Sequence, residues 1–130
     1  MSGEKQAIRT DDAPAPFQGA PYSQAIRYGD LLFVAGQVPL TPGHDAISGD
    51  TIEEQTERVC ENLKAILEAA GSSFEKVLNT TIYLTDFADF AGLNEVYGRY
   101  VGPKPPARAT VQIAGLPMGA KVEIAVVAHV

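Results

Sequence analysis

The sequence predicts an α+β domain of two layers, in which two helices cover one face of a sheet. β-type runs separated by short Gly- and Pro-rich turns predict strands that pair with one another. Two amphipathic segments placed between strands predict the helices. No repeat, linker or low-complexity tract interrupts the 130 residues. The predicted order is ββ-α-β-α-ββ, and residues 1–130 are predicted to form a single domain.

The first two strands are predicted from "YSQAIRYGDLLFVAGQ", where β-type runs flank Tyr28, Gly29 and Asp30. A short turn with glycine between two such runs is typical of a β-hairpin. A Pro- and Gly-rich loop is expected to follow, from Pro39 to about Asp50.

The clearest element is a helix over residues 52–70. Thr51 followed three residues later by Glu54 predicts a capping box, and Gly71 suits the left-handed position that ends many helices. The core-facing positions at helical spacing are Ile52, Thr56, Val59, Leu63, Ile66, Leu67 and Ala70.

The second half of the chain predicts a strand, a helix and two further strands. "KVLNTTIYLT" is rich in β-branched residues, which favours a strand. Asp86 is expected to cap a helix through "FADFAGLNEVYGRY", with Phe90, Leu93 and Tyr97 on one stripe. "PPARATVQIA" and "AKVEIAVVAHV" predict two strands that pair as a hairpin through "GLPMG".

The last predicted strand alternates between an apolar face and a mixed face that contains Glu123. With Ala114 paired to Lys121, Arg108 and Glu123 would share the mixed face about four residues apart, roughly 13 Å. That separation exceeds hydrogen-bond reach, so each charge is either solvated or needs a partner outside the chain. The mixed face, which also holds Val127, predicts contact with another subunit and hence a homo-oligomer.

The composition excludes several classes of protein. A net charge of −6 with scattered basic residues argues against a nucleic-acid partner. No apolar run approaches the roughly 20 residues of a membrane span, and the N-terminal segment lacks a signal-like core, so a cytoplasmic protein is expected. Cys60 has no partner for a disulfide, and His44 and His129 lack a second ligand at metal-binding spacing.

Five fragments in register give a specific resemblance: "APYSQAI", "FVAGQVPL", "FAGLNEVY", "PPARATV" and "LPMGAKVEIAVVA". Together they resemble the Rid (YjgF-like) family of reactive-intermediate imine deaminases, from about residue 10 to the C-terminus. The resemblance implies a chorismate-mutase-like subunit in a homotrimer, with ligand clefts between subunits. It also implies hydrolysis of 2-imino acids, chiefly 2-iminopropanoate and 2-iminobutanoate, to 2-keto acids and ammonia, without cofactor or metal.

The resemblance implies three catalytic residues. Arg108 matches the arginine that grips the substrate carboxylate, for which a planar guanidinium is suited. Glu123 matches the acidic residue near the catalytic water, where it accepts a proton or orients the water. Tyr22 matches a tyrosine that lines the cleft, although a packing role alone is the alternative for this side chain.

Three further residues are implied to bind substrate. Gly36 matches a position where backbone approaches the ligand, which the absence of a Cβ permits, and Asn94 matches a residue that supports the cleft or serves only as a structural amide. Thr110 replaces a cysteine of many relatives, and we expect a backbone role for it. Ala35 replaces a serine, so a hydroxyl contact there is absent.

Two other functions stay open at the level of sequence. Some relatives have been described as ribonucleases that inhibit translation, but the acidic charge and the absence of a paired His or Lys constellation oppose that function. A non-catalytic trimer that binds small carboxylates would need only Arg108. Replacing Glu123 by glutamine distinguishes this binding module from the deaminase, because the binding module would tolerate the change and the deaminase would not.

Overall fold

The structure, a computed structural model, describes residues 3–130 and contains a six-stranded sheet with two α-helices. The predicted order is confirmed, with one short additional strand at the N-terminal end that the sequence pattern did not reveal. The elements are β1 (Gln6–Ile8), β2 (Ala25–Tyr28), β3 (Leu31–Gln37), α1 (Ile52–Ala69), β4 (Val77–Leu84), α2 (Phe90–Val101), β5 (Ala107–Gln112) and β6 (Val122–His129).

The strands lie in the order β1-β2-β3-β6-β4-β5. All neighbours are antiparallel except β4 and β5, which are parallel. The first hairpin forms as predicted: Tyr28 lies opposite Leu31, and Gly29 in the turn has a φ of 59°. A positive φ at this position is one that glycine adopts without steric cost.

The predicted hairpin of the last two strands is wrong. β4 lies between β5 and β6, so Ala114 does not pair with Lys121 and Gln112 does not face Glu123. The reason is the β4-α2-β5 unit: a helix between two strands is the usual connection of a parallel pair, and it places β5 on one edge of β4. β6 then occupies the other edge.

Local signals fix the ends of α1 as expected. Thr51 Oγ1 accepts from Glu54 N, and the Glu54 carboxylate accepts from Thr51 N, each at 3.1 Å, which completes the capping box. Gly71 follows the helix with a φ of 79°. Asp86 caps a short 3-10 turn, Phe87–Asp89, that leads directly into α2.

Both helices pack on one face of the sheet. The buried face of β6 alternates residue by residue with its other face, as the sequence predicts. Among residues 3–130, neither helix combines the length and the hydropathy needed to cross a bilayer. The apolar strand residues with no exposed area on the helix side are Leu32, Ile82, Leu84, Val122, Ile124 and Ala128.

The opposite face of the sheet presents apolar side chains to solvent. Phe33 pairs with Val127 on this face and is 46% exposed, and Tyr28, Leu31 and Val111 are exposed as well. Contiguous exposed apolar surface on a small domain marks an interaction site. We call this surface, defined by Tyr28, Leu31, Phe33, Val111 and Val127, the open face.

Candidate active site

The residues that the resemblance assigns to the site form two groups within the chain. One cavity is lined by Tyr22, Gly36 and Glu123, which we call the carboxylate cluster. Arg108 and Thr110 are hydrogen-bonded to each other in β5. We call this pair, together with its neighbours Phe90 and Tyr97 on α2, the guanidinium cluster.

The two clusters lie on opposite faces of the sheet, which corrects the prediction that Arg108 and Glu123 share one face. Arg108 lies opposite Thr80, whose other neighbour is Val126 on the helix side. Glu123 lies opposite Tyr83, three positions further along β4 and on the other side. Strand spacing and rise put their Cα atoms on the order of 14 Å apart. The two charges therefore share no pocket within a chain.

The backbone beside Glu123 is shaped by a β-bulge in β3. Val34 pairs with Val126 and Gln37 with Ile124, so Ala35 and Gly36 together face the single residue Ala125. The Glu123 side chain lies directly over Gly36. A Cβ added at Gly36 would meet Glu123 Oε2 in hard contact and would lie 2.8 Å from Cδ. Glycine here makes room for the carboxylate, and the predicted close approach of its backbone to a ligand stays a prediction.

A cavity of about 310 Å³ opens beside Glu123 and contains the side chain of Tyr22 in its wall. Phe17 N donates to the Tyr22 hydroxyl at 2.6 Å, so the Tyr22 proton remains for a second partner. Ala35 also lines this cavity, where the wall lacks the hydroxyl of a serine. The remaining lining residues are apolar: Phe17, Ala20, Val38 and Pro117, with Gly36.

Glu123 is half-buried, and burial raises the pKa of its carboxyl. Desolvation disfavours the charged form, and here no opposite charge offsets it. Within residues 3–130, no Lys or Arg forms an ion pair with this carboxylate. A carboxylate of this kind is a better proton acceptor than an exposed glutamate.

The Arg108 guanidinium is held by a hydroxyl and two aromatic rings. Its Nε donates to Thr110 Oγ1 at 2.9 Å. Its Cζ lies 5.5 Å from the centroid of the Phe90 ring and 5.3 Å from that of Tyr97. Such cation–π contacts contribute about 0.5–2 kcal/mol each. Across the part of the chain that the structure describes, no carboxylate pairs with Arg108.

Asn94 lies four residues after Phe90 and three residues before Tyr97, and it therefore shares their stripe of α2. Its Oδ1 is buried and accepts no hydrogen bond from residues 3–130. An unpaired buried acceptor costs about 1–3 kcal/mol. The stripe thus brings an unused acceptor to the helix face that holds Arg108, and the cleft-supporting role stays a prediction.

The aromatic neighbours of Arg108 were missed as site residues. Phe90 and Tyr97 were identified by spacing but interpreted as core, and Tyr97 is buried and donates to Thr80 Oγ1 at 2.9 Å. Phe90 is 39% exposed although it lies on the core stripe of α2. No local pattern predicts that these two rings lie beside Arg108, because the contact depends on how α2 packs beside β5.

The remaining reactive side chain lies outside both clusters. Cys60 is buried in α1, and burial raises the pKa of its thiol to about 12. Across residues 3–130, no three His, Cys, Asp or Glu side chains are grouped so that they could hold a metal ion.

Comparison with known proteins gives matches along nearly the whole chain. The profile described as Endoribonuclease L-PSP matches residues 10–130. A RutC family protein of Saccharolobus solfataricus is 48% identical over 125 residues, which cover 96% of this chain and 98% of that protein. Reactive Intermediate Deaminase A, chloroplastic, of Arabidopsis thaliana is 42% identical over 127 residues, which cover 98% of this chain and 67% of that protein.

A solved structure shows the same fold. The crystal structure of E. coli TdcF with bound serine matches with a TM-score of 0.88 at 36% identity, covering 96% of this chain and 98% of that one. The six-stranded sheet and two helices are therefore common to both chains.

Proposed function

The chain belongs to the Endoribonuclease L-PSP family, that of the Rid (YjgF-like) proteins, and we propose that it is a hydrolytic deaminase of 2-imino acids. Family membership confirms the resemblance found in the sequence. Similarity to a Reactive Intermediate Deaminase supports a deaminase role in general. The substrates 2-iminopropanoate and 2-iminobutanoate, and the roles of individual residues, are the proposal.

The observation that carries the proposal is the position of the Glu123 carboxylate. It is half-buried beside an apolar-walled cavity, it has a raised pKa, and it has no cation paired with it in residues 3–130. A water molecule bound there would meet a basic carboxylate in a cavity whose wall also contains Tyr22. This arrangement suits activation of water better than it suits a structural ion pair.

The reaction then needs one proton acceptor and one anchor. Water adds to the imine carbon while Glu123 accepts a water proton, which gives a tetrahedral carbinolamine. Glu123 returns that proton to nitrogen and then accepts the hydroxyl proton as the C–N bond breaks, so that ammonia leaves and the C=O of the 2-keto acid forms. A protonated imine is already electrophilic, so orientation supplies much of the acceleration.

Arg108 is proposed to bind the substrate carboxylate. Its guanidinium is fixed at Nε and between two rings, and both Nη groups are without a carboxylate partner in residues 3–130. The relative TdcF was solved with serine, which carries its carboxylate beside a nitrogen-bearing carbon as a 2-imino acid does. The shared chemistry supports a carboxylate ligand for this chain.

Because the clusters lie on opposite faces of one chain, the proposal requires a second subunit. We propose a homotrimer in which the open face is buried and each cleft combines Arg108 of one subunit with Glu123 of its neighbour. Closed symmetry repeats the same contact three times. The exposed apolar side chains of the open face supply the surface that such an assembly buries.

Complementation between inactive variants tests the function and the shared cleft together. With 2-iminopropanoate generated in situ, we expect Arg108→Ala and Glu123→Gln each to lose most of the acceleration in keto-acid release. Refolding the two variants together in equal amounts should restore about one quarter of the clefts, because a cleft works only when one side supplies each intact residue. Arg99→Ala, an exposed arginine of α2 paired with Glu95, is the matched control and should remain active.

Two results would contradict the proposal in different ways. Wild-type turnover by both single variants would show that the assigned residues are wrong. Inactive single variants with no recovery of activity on mixing would show that Arg108 of one subunit and Glu123 of its neighbour do not share a cleft.

The name of the matching family, Endoribonuclease L-PSP, makes ribonuclease activity the second candidate. Neither cluster contains a histidine, and a net charge of −6 opposes attraction of RNA. We expect single-stranded RNA to remain intact under conditions in which the imine is hydrolysed. Cleavage that is lost in Glu123→Gln would instead favour the ribonuclease.

A further inference from the structure

The hydroxyl of Thr110 occupies one of the donors of Arg108. Arg108 Nε donates to Thr110 Oγ1 at 2.9 Å, and both side chains are partly buried. The two residues are separated by one position in β5, so their side chains lie on the same face of the strand. Thr110 is β-branched, and its χ1 angle is therefore restricted, which holds the hydroxyl in place.

This contact determines which edge of the guanidinium remains open. A guanidinium binds a carboxylate in a bidentate way either end-on, through its two Nη groups, or side-on, through Nε and one Nη. Nε carries a single hydrogen among the five N–H donors of arginine. Because Thr110 takes that hydrogen, only the end-on edge retains two donors for a ligand.

The rings of Phe90 and Tyr97 restrict the same group in another direction. They lie 5.5 and 5.3 Å from Cζ and so limit the positions that the guanidinium can occupy. The hydrogen bond from Nε fixes how the group is turned at that position. Thr110 and the two rings thus make separate contributions to one orientation.

We infer that Thr110 is a positioning residue, whose hydroxyl holds Arg108 for end-on binding of a 2-oxo or 2-imino carboxylate. The inference rests on the proposed function, in which Arg108 binds the substrate carboxylate. It assigns the side chain a role where the sequence predicted a backbone role for this position.

Binding of pyruvate, a stable 2-oxo acid, tests the inference without turnover. Thr110→Val keeps the shape of the side chain and removes the acceptor, so we expect the Kd for pyruvate and the KM for the imine to rise roughly tenfold. kcat at saturation should change much less, because the reacting carbon and Glu123 are not altered. Thr110→Ser keeps the hydroxyl and should recover most of the affinity.

The Nε–H resonance of Arg108 gives a direct spectroscopic measurement. In wild type this proton should exchange slowly with water, and in Thr110→Val it should shift and exchange faster. Arg27 and Arg58 are internal controls, since their Nε groups donate to Gly29 O at 3.0 Å and to Asn62 Oδ1 at 3.1 Å and should not respond. Loss of one resonance in Arg108→Ala assigns the signal.

A double variant separates failure of the inference from failure of the proposed function. In the Arg108→Ala background, Thr110→Val should cause no further loss of pyruvate affinity, because both changes remove the same anchor. An unchanged Nε–H signal, wild-type affinity in Thr110→Val, or an equal loss in both backgrounds would overturn the role of Thr110 alone. Unchanged affinity in Arg108→Ala would overturn the proposed function and this inference with it.

Discussion

Replacing Gly36 by alanine should separate activity from stability, because the three heavy atoms nearest to the added methyl group all belong to the Glu123 side chain. The new Cβ would lie 2.8 Å from Glu123 Cδ, whereas ordinary contact begins at 3.4 Å. Cδ must therefore recede by 0.6 Å, and Oε2, which is nearer to the methyl group, by about 1 Å. A displacement of about 1 Å at a reacting group lowers turnover roughly 100-fold.

The cost to folding should be small. A glutamate forced about 30° from its rotamer costs roughly 0.5–1.5 kcal/mol. Replacing glycine by alanine reduces the entropy of the unfolded chain and returns about 0.4–1 kcal/mol where the backbone is compatible. Because no positive φ is found at Gly36, the two effects nearly cancel and the free energy of unfolding should change by less than about 1 kcal/mol.

The measurements are urea unfolding and steady-state hydrolysis of 2-iminopropanoate. Gly98→Ala is the matched control, since nothing lies within 4 Å of a Cβ at this exposed position of α2, and it should keep activity and gain about 0.5–1 kcal/mol of stability. We expect Gly36→Ala to lose roughly 100-fold in turnover. A folded Gly36→Ala protein with turnover within about threefold of wild type would show that the position of the Glu123 carboxylate does not govern the reaction.

Five further predictions concern Glu123, the open face, Cys60 and the cap of α1. Because burial raises the pKa of Glu123, the acid limb of kcat/KM should lie above the pH at which an exposed glutamate titrates, and Glu123→Gln should abolish that limb. Because its pKa is raised, Glu123 binds its proton more tightly in the folded state than in the unfolded state. The free energy of unfolding therefore falls as pH rises from the ordinary pKa of a glutamate to the raised pKa of Glu123. Glu123→Gln should be stabilising only above that window. Phe33→Asp on the open face should convert the proposed homotrimer to a smaller species by analytical ultracentrifugation and abolish turnover; an unchanged mass would exclude this face as the interface. Cys60 should remain unmodified by a thiol reagent in the native protein and react only after unfolding, since its pKa is raised to about 12. Thr51→Ala removes the side-chain acceptor for Glu54 N and should lower the free energy of unfolding by about 1 kcal/mol without changing KM.

The elements that could be predicted are those whose signals are local in sequence. The capping box of Thr51 and Glu54 lies within four residues, and the first hairpin is set by a two-residue turn at Gly29. The alternation along β6 correctly identified which side of that strand is buried, because period-2 patterning reports the face directly.

The neighbours of β5 could not be predicted in the same way. Alternation identifies faces but does not identify which strand lies alongside, and two β-type runs near each other favour a hairpin. The polarity of β5 was also misleading: Arg108 and Thr110 point to the helix side, while Val111 points to the open face. As the edge strand, β5 meets the margin of α2, where an arginine stacks on Phe90 instead of entering the core.

The site was predicted as a set of residues but not as a geometry. Resemblance supplied Arg108 and Glu123, yet their separation onto two faces depends on the strand order. The contact of Glu123 with Gly36 depends on the bulge. No local signal in "FVAGQ" predicts that bulge, because a glycine at this position fits a regular strand equally well.

The bulge has a consequence for the permitted length of β3. Removing Ala35 would leave Gly36 opposite Ala125 and Gln37 opposite Ile124, an unbroken ladder with every buried side chain still in register. Such a shortened chain should fold at least as well as the natural one and yet lose the recess into which the carboxylate fits. Under the proposed role of Glu123, the surplus residue opposes ideal strand pairing in favour of chemistry, so a one-residue deletion that a surface loop would tolerate should abolish turnover when made here.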